Sequence, residues 1–278
     1  MTSIPSLTLA SGGSIPQLGL GTWQMPDAEM VRVVGMAFNL GYRHIDGAAA
    51  YGNEDGLGRA IAASSVARSD LFITTKLRNP DQGYREALKA LDDSLAKLRL
   101  DYVDLYLIHW PCPAHDRFVE SWKALVEAQD AGKVRAIGVS NFRAQDIDRV
   151  TLATGVTPAV NQIELHPLLQ QAQLRDYDQA QGIITQSWSP LAHGGELLAH
   201  PVLRDIADKH GKSPAQVTLR WHVQLGLVVI PKSVTRARIE ENAAIFDFVL
   251  DEQDMGRIAE IDAGIRLGPD PANFEDMG

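Results

Sequence analysis

Apolar residues along this chain gather in short runs that alternate with longer amphipathic stretches. Eight runs read as strands: QLGLGTW, YRHIDGA, LFITTKL, DYVDLYLIHW, VRAIGVSN, PAVNQIEL, IITQSWSPL and LVVIPKS. Their interiors are Val, Ile and Leu, the composition of strands buried on both faces. Between them, AEMVRVVGMAFNLG, YREALKALDDSLAKL, DRFVESWKALVEAQDAG and SPAQVTLRWHVQLG show helical periodicity. Helix ends are marked too. Ser213 is an N-cap with Pro214 at the first helical position and Gln216 completing a capping box, and Gly132 closes an earlier helix.

Repeated strand-then-helix units build parallel sheets, and about eight of them at this length predict an α/β fold, a closed (β/α)8 TIM barrel. The leading SLTLASGGSIP predicts a short N-terminal β-hairpin ahead of the barrel. An open doubly wound sheet is the rival. Against its dinucleotide-binding form, the first strand-to-helix turn, LGLGTWQMPDAEM, lacks the third glycine of G-x-G-x-x-G and inserts a proline. No linker, low-complexity run or composition break divides residues 1–278, so a single domain is expected.

Charge and cysteine usage narrow the partners. With 26 Lys plus Arg against 35 Asp plus Glu the net charge is -9, which opposes nucleic acid and anionic membranes, so a bound anion would need a local basic patch. Cys112 is the only cysteine, which excludes an internal disulfide and a cysteine zinc cluster and favours a reducing, cytoplasmic setting. The N-terminus lacks the basic start and apolar core of a secretory signal, and no run approaches the ~20 apolar residues of a membrane span.

The C-terminal strand ends depart from the apolar pattern, carrying Asp46, Lys76, His109, Ser140 with Asn141, Gln162, Trp188 with Ser189, and Lys232 with Ser233. In a parallel barrel these ends share the face on which active sites lie. Alternation puts His109 with Val103, Leu105 and Leu107, and Lys76 with Phe72 and Thr74, so both point inward. An isolated buried lysine is costly and needs a carboxylate, for which Asp46 is the candidate. Tyr51 follows Asp46 after Gly47, Ala48, Ala49 and Ala50, side chains too small to cover its phenol. Singly, each has an ordinary reading: Asp46 a helix cap, Tyr51 a packing residue, His109 a hydrogen-bonded core histidine as expected of His44, Trp188 a core aromatic. Asp46, Tyr51, Lys76 and His109, at three successive strand ends, point together to a site.

Three ordered stretches resemble the signatures of the aldo-keto reductase superfamily: GYRHIDGAAAYGNEDGLG at 41–58, GKVRAIGVSN at 132–141 and IPKSVTRARIEEN at 230–242. Through AVNQIELHP, WSPL, RWH and its length the chain is similar to bacterial 2,5-diketo-D-gluconate reductases. The resemblance implies a catalytic tetrad of Asp46, Tyr51, Lys76 and His109, with Gly47 departing from the Thr that many members carry. It implies NADPH (NADP) as cofactor, its carboxamide on Ser140, Asn141 and Gln162, with Trp188 stacking on the ring and Thr22, Trp23, Ser189 and Leu191 alongside. Lys232, Ser233, Val234 and Arg238 would take its 2'-phosphate, and Glu241 and Asn242 its adenine. A small-molecule carbonyl substrate would enter a pocket lined by Trp23, Tyr51, His109 and Trp110, in a monomer without a metal. The tail LGPDPANFEDMG, which family members use to line that pocket, has no clear family pattern.

In such a reduction the carbonyl becomes an alkoxide and needs a proton and a positive field. Tyr51 is the expected acid. A phenol titrates near 10, and an ammonium about 4 Å away at an effective dielectric of ~20 contributes roughly 4 kcal/mol, or about 3 pKa units toward phenolate, before burial is counted. Lys76 is then the tuner, Asp46 keeps it charged, and His109 orients the carbonyl. Two other classes are a non-catalytic nicotinamide-binding regulatory subunit, opposed by the complete tetrad, and a barrel isomerase or metal-dependent lyase, opposed by the lack of clustered His and carboxylate ligands.

Overall fold

The computed structural model describes residues 4–276. A hairpin of β1 (Ser6–Thr8) and β2 (Ser14–Pro16) leads into β3 (Gly19–Gly21), α1 (Met30–Asn39), β4 (His44–Asp46), α2 (Glu54–Ala62), β5 (Phe72–Leu77), α3 (Tyr84–Leu98) and β6 (Val103–Ile108). There follow α4 (Phe118–Asp130), β7 (Val134–Ser140), α5 (Ala144–Thr154), β8 (Val160–Glu164), α6 (Ala172–Ala180) and β9 (Ile184–Trp188). The chain continues through α7 (Gly195–Ala199), α8 (Pro201–His210), α9 (Pro214–Gln224), β10 (Val228–Val229), α10 (Arg236–Ala243) and α11 (Glu252–Ala259).

Strands β3 to β10 pair in sequence order, all parallel. Parallel bridges from Leu18 to Val229 and from Gly21 to Lys232 join the first strand to the last. The expected (β/α)8 barrel and its leading hairpin are therefore both present. Gly21 is needed at the seam, since a β-carbon there would lie 2.8 Å from the carbonyl oxygen of Ile230.

Two apolar layers hold this frame. Outside the barrel, Val33 and Val34 of α1, Leu57 of α2, Leu91 of α3 and Trp122 of α4 pack on the strands. Inside its N-terminal end, Leu9 and Ile15 of the hairpin meet Phe72, Leu105, Leu107, Val160 and Val228. Burial of each such side chain contributes about 1.5–3 kcal/mol, so the hairpin is a fixed plug. With that end closed, the polar residues are left to the C-terminal end. His44 is a buried core histidine, its Nε2 3.2 Å from Thr74 Oγ1. The capping box of α9 is formed, with Gln216 N–H donating to Ser213 Oγ at 3.2 Å and Ser213 N–H to Gln216 Oε1 at 3.0 Å. Among the described residues no helix is long and apolar enough to cross a membrane.

Candidate active site

The short strand β4 ends on Asp46, whose carbonyl accepts from the N–H and hydroxyl of Thr22, both at 3.0 Å. Beyond it Gly47 N–H donates to Thr74 O at 2.9 Å, and a single 3-10 turn over Ala49–Tyr51 closes on Gly52 at φ 67°. The turn folds Tyr51 back over the carboxylate. Small residues permit this, because nothing larger than a methyl group stands between the two.

Lys76 reaches the same point from β5. Its Nζ donates to Asp46 Oδ1 at 2.5 Å, to Gly47 O at 2.8 Å and to the Tyr51 hydroxyl at 3.3 Å. These three acceptors match the three protons of an ammonium. Lys76 is 0% exposed and Asp46 1%, so neither charge has water to fall back on. The other carboxylate oxygen, Asp46 Oδ2, accepts from Gln162 Nε2 at 2.7 Å, across 116 positions of sequence. Burial opposes the Lys76 charge, but Asp46, Tyr51 and their hydrogen bonds outweigh it and hold the ammonium above its usual pKa.

The direction of the Lys76 to Tyr51 bond matters. The phenol oxygen accepts there, so its own proton is free to point elsewhere. Burial raises the Tyr51 pKa more than Lys76 lowers it, so the free phenol stays above its ordinary value of 10.0. Counting burial thus reverses the sign of the fall of about three units expected from Lys76 alone. The phenol is protonated at neutral pH.

His109 follows β6 and its ring meets that of Tyr51 in a T-shaped arrangement, with centroids 5.7 Å apart and planes at 74°. Burial, helped by the Lys76 charge, lowers its pKa from 6.5 to about 3. A neutral imidazole can donate a hydrogen bond but is not a proton source at neutral pH. Between the two, Tyr51 has the proton to give.

A second set lines the ends of β7, β8 and β9. Asn141 takes the left-handed conformation at φ 64°, one that asparagine tolerates better than most residues. Its Nδ2 donates to His109 O and to Ser140 Oγ, each at 3.0 Å, while its Oδ1 accepts from Trp188 Nε1 at 2.8 Å. Ser140 Oγ donates to Gln162 O at 2.9 Å. Asn141 Oδ1 keeps a second lone pair for an amide N–H, which fits a nicotinamide carboxamide. Beyond Trp188, Ser189 Oγ lies 3.2 Å from His193 Nε2, and the His193 ring sits 6.1 Å from that of Trp23, which is 46% exposed. Between them Leu191 O accepts from Gly194 N–H at 2.7 Å.

The third set follows β10. Ser233 is buried and its Oγ accepts from Thr235 N–H at 3.2 Å, and Val234 O accepts from Arg32 Nη2 at 3.3 Å. Lys232, Arg236 and Arg238 are exposed around the start of α10; in its last turn Asn242 is buried and Glu241 half-buried. Among the described residues none of the three cations has an ion pair. In a chain of net charge -9 such a cluster fits a phosphate, and backbone N–H groups at a helix start favour one further.

Residues 17–263 match the sequence profile described as the Aldo/keto reductase family. The chain belongs to this family. It is 54% identical over 274 residues to an aldo-keto reductase of Mycolicibacterium smegmatis, covering 99% of each chain. It is 53% identical over 269 residues to the methylglyoxal reductase DkgA of Escherichia coli, covering 96% of this chain and 97% of that one. Among solved structures, an aldo/keto reductase from Brucella melitensis superposes with a TM-score of 0.91 at 53% identity, over 94% of this chain and 99% of that one. A mutant of Gox0644 in complex with NADPH superposes at 0.93 with 46% identity, over 97% and 98%. This aldo-keto reductase is thus an NADPH-dependent oxidoreductase acting on carbonyl groups.

Sequence reasoning did not reach two parts of this aldo-keto reductase site. Gln162, expected at the cofactor carboxamide, donates its amide to Asp46. The C-terminal tail, without a pattern of its own, places Phe274 on Trp110 with centroids 4.4 Å apart. Trp110 in turn lies 6.4 Å from Trp188.

Proposed function

We propose that the enzyme reduces small compounds carrying a second carbonyl beside the reacting one, methylglyoxal first among them, with Tyr51 as proton donor. Curated relatives named methylglyoxal reductase DkgA, 50–53% identical in Escherichia coli, Salmonella typhimurium and Yersinia pestis, support the substrate class. The pairing of Trp110 with Phe274 and Trp188 supports a small substrate, because it walls the space above the tetrad with aromatic rings.

NADPH, when bound, supplies the hydride. The chain's own residues do the rest. Tyr51 gives its proton to the carbonyl oxygen, Lys76 lowers the cost of the negative charge that follows, and Asp46 with Gln162 fixes Lys76. His109, neutral, donates a hydrogen bond that orients the carbonyl, in a pocket formed with Trp23 and Trp110. Ser140, Asn141 and Gln162 would hold the carboxamide, with Trp188, Ser189, Leu191, Thr22 and Trp23 around the ring. Lys232, Ser233, Val234 and Arg238 would hold the phosphate, and Glu241 and Asn242 the adenine. All these groups come from one chain, so the monomer is the proposed working unit, and residues 1–278 are proposed to form one domain.

The observation that carries this reading is the Lys76 ammonium donating into the Tyr51 oxygen, which frees the phenol proton for substrate. A second reading, 2,5-diketo-D-gluconate as substrate, is favoured by the stretches AVNQIELHP, WSPL and RWH. Loss of NADPH absorbance with methylglyoxal, 2,5-diketo-D-gluconate, and aliphatic and aromatic aldehydes separates the two. The highest kcat/KM is expected for methylglyoxal. A higher value for 2,5-diketo-D-gluconate would support the second reading, and a higher value for simple monocarbonyl aldehydes would overturn both.

A further inference from the structure

Inward-facing residues alternate along β8 as Val160, Gln162 and Glu164. Gln162 binds the carboxylate of the tetrad, and Glu164 stands one inward position higher, at 0% exposure. Its partners in the tail lie more than a hundred positions away. Glu164 Oε1 accepts from the backbone N–H of Leu267 at 2.7 Å, and Oε2 from that of Gly268 at 2.9 Å. His166 Nε2 lies 3.2 Å from Oε1, and Arg266 Nη1 3.6 Å from Oε2.

This clamp fixes where the tail crosses the site. Gly268 lies so close that a β-carbon there would meet Trp188 Cη2 at 2.4 Å and Glu164 Oε2 at 3.1 Å. From Gly268 the tail passes Arg143, beyond the end of β7, to a second mooring. There Phe274 packs against Trp110, Ala114 N–H donates to Glu275 Oε1 at 2.9 Å, and Asn79 Nδ2 donates to Asp276 O at 2.8 Å. The first mooring is made of charge-assisted hydrogen bonds inside the protein, and the second lies at its surface.

We propose that Glu164 is a positioning residue for carbonyl reduction: its carboxylate seats the C-terminal tail against Trp188, so that Phe274 closes the aromatic wall of the substrate pocket. A carboxylate is required because both backbone groups are donors, and only an ionised acid offers each of them an oxygen. Burial alone would favour the neutral acid, but His166 and the two backbone N–H groups reverse this and hold the carboxyl below its usual range. The tail therefore remains seated throughout the neutral range.

Glu164→Gln tests the clamp at constant size, since it sets an amide donor against one of the two tail N–H groups. The KM for methylglyoxal should rise about tenfold and kcat change less than about twofold, the pattern for lost substrate binding rather than lost chemistry. NADPH affinity should be unchanged. Amide hydrogen exchange at Leu267 and Gly268 should be slow in the wild type, where Glu164 accepts from both, and fast in the variant. Phe274→Ala should raise KM alone, but add little in the Glu164→Gln background, because the tail is already displaced. Gly268→Ala moves the tail from its own side, keeps the Glu164 carboxylate, and should raise KM similarly even if Glu164→Gln folds poorly. Additive effects of the two substitutions, slow exchange at residues 267 and 268 in Glu164→Gln, or an unchanged KM in Gly268→Ala would each overturn the proposal. If methylglyoxal is not the substrate, the same cycle is run with whichever carbonyl the wild type reduces best, and the exchange result does not depend on that choice.

Discussion

Replacing Lys76 with Met separates what the buried ion pair does for the fold from what it does for the reaction. The change keeps the unbranched apolar stem but removes the ammonium that donates to Asp46 Oδ1, Gly47 O and the Tyr51 hydroxyl. Removing one partner of a buried pair costs about 3–5 kcal/mol. The lower end applies here, because Asp46 keeps Gln162 on Oδ2. At about 2–3 °C per kcal/mol for a chain of this size, ~3 kcal/mol lowers Tm by about 6–9 °C. For catalysis, a full negative charge 3.3 Å from the ammonium gains about 5 kcal/mol at an effective dielectric of ~20. If half that charge has formed in the transition state, the loss is about 2.5 kcal/mol, or roughly 70-fold in turnover. Melting curves and NADPH consumption with methylglyoxal measure both. The double variant Asp46→Asn with Lys76→Met removes both charges and should recover most of the Tm without recovering turnover. Unchanged Tm and turnover in Lys76→Met would refute the pairing, and recovered turnover in the double variant would refute a catalytic role for the ammonium.

Three further outcomes are expected. Because burial holds the free Tyr51 phenol above 10.0, kcat/KM for reduction should stay flat through neutrality and fall only above about pH 10, as the phenol loses its proton. A falling limb centred between pH 6 and 8 would assign the acid to another group, and His109, lowered to about 3, cannot supply that limb. Arg238→Ala should weaken NADPH by roughly 1.5–3 kcal/mol with little effect on NADH, measured by tryptophan fluorescence titration; equal losses would mean that Arg238 does not read the phosphate. Asp178 of α6 is buried with only Thr185 and Asn161 as side-chain partners among those described, and burial raises its pKa from 3.8 to about 7. Since the folded state binds its proton more tightly than the unfolded state, its contribution to stability is full below pH 3.8 and lost by about pH 7. Asp178→Asn should therefore raise Tm more at pH 8 than at pH 5, and an equal shift at both would count against this ionisation.

Strand alternation and the strand-end rule were enough to read the barrel and to bring Asp46, Tyr51 and Lys76 to one point, because both depend on residue types at fixed spacing. The close approach at Gly21 that seals the seam and the plugging of the barrel by Leu9 and Ile15 emerge only from the folded structure. The sign of the Tyr51 shift was not legible. It is a difference between desolvation and attraction to Lys76, and only the folded structure gives the first. Nor was Glu164, which grips the tail through backbone N–H groups that leave no mark in the residues carrying them. The available signal was a second acid-capable position two residues past Gln162, on the same face of β8.

Tyr51→Phe addresses the assignment of the proton donor most directly, because it deletes one oxygen and leaves Lys76 bound to Asp46 and Gly47. Steady-state NADPH oxidation with methylglyoxal, or with the best carbonyl found, is measured beside a fluorescence titration with NADPH. Turnover should fall at least ~100-fold, the scale of a lost general acid, while the NADPH titration and the melting temperature stay close to wild type. Near-wild-type turnover in a folded variant that binds NADPH normally would contradict Tyr51 as the acid.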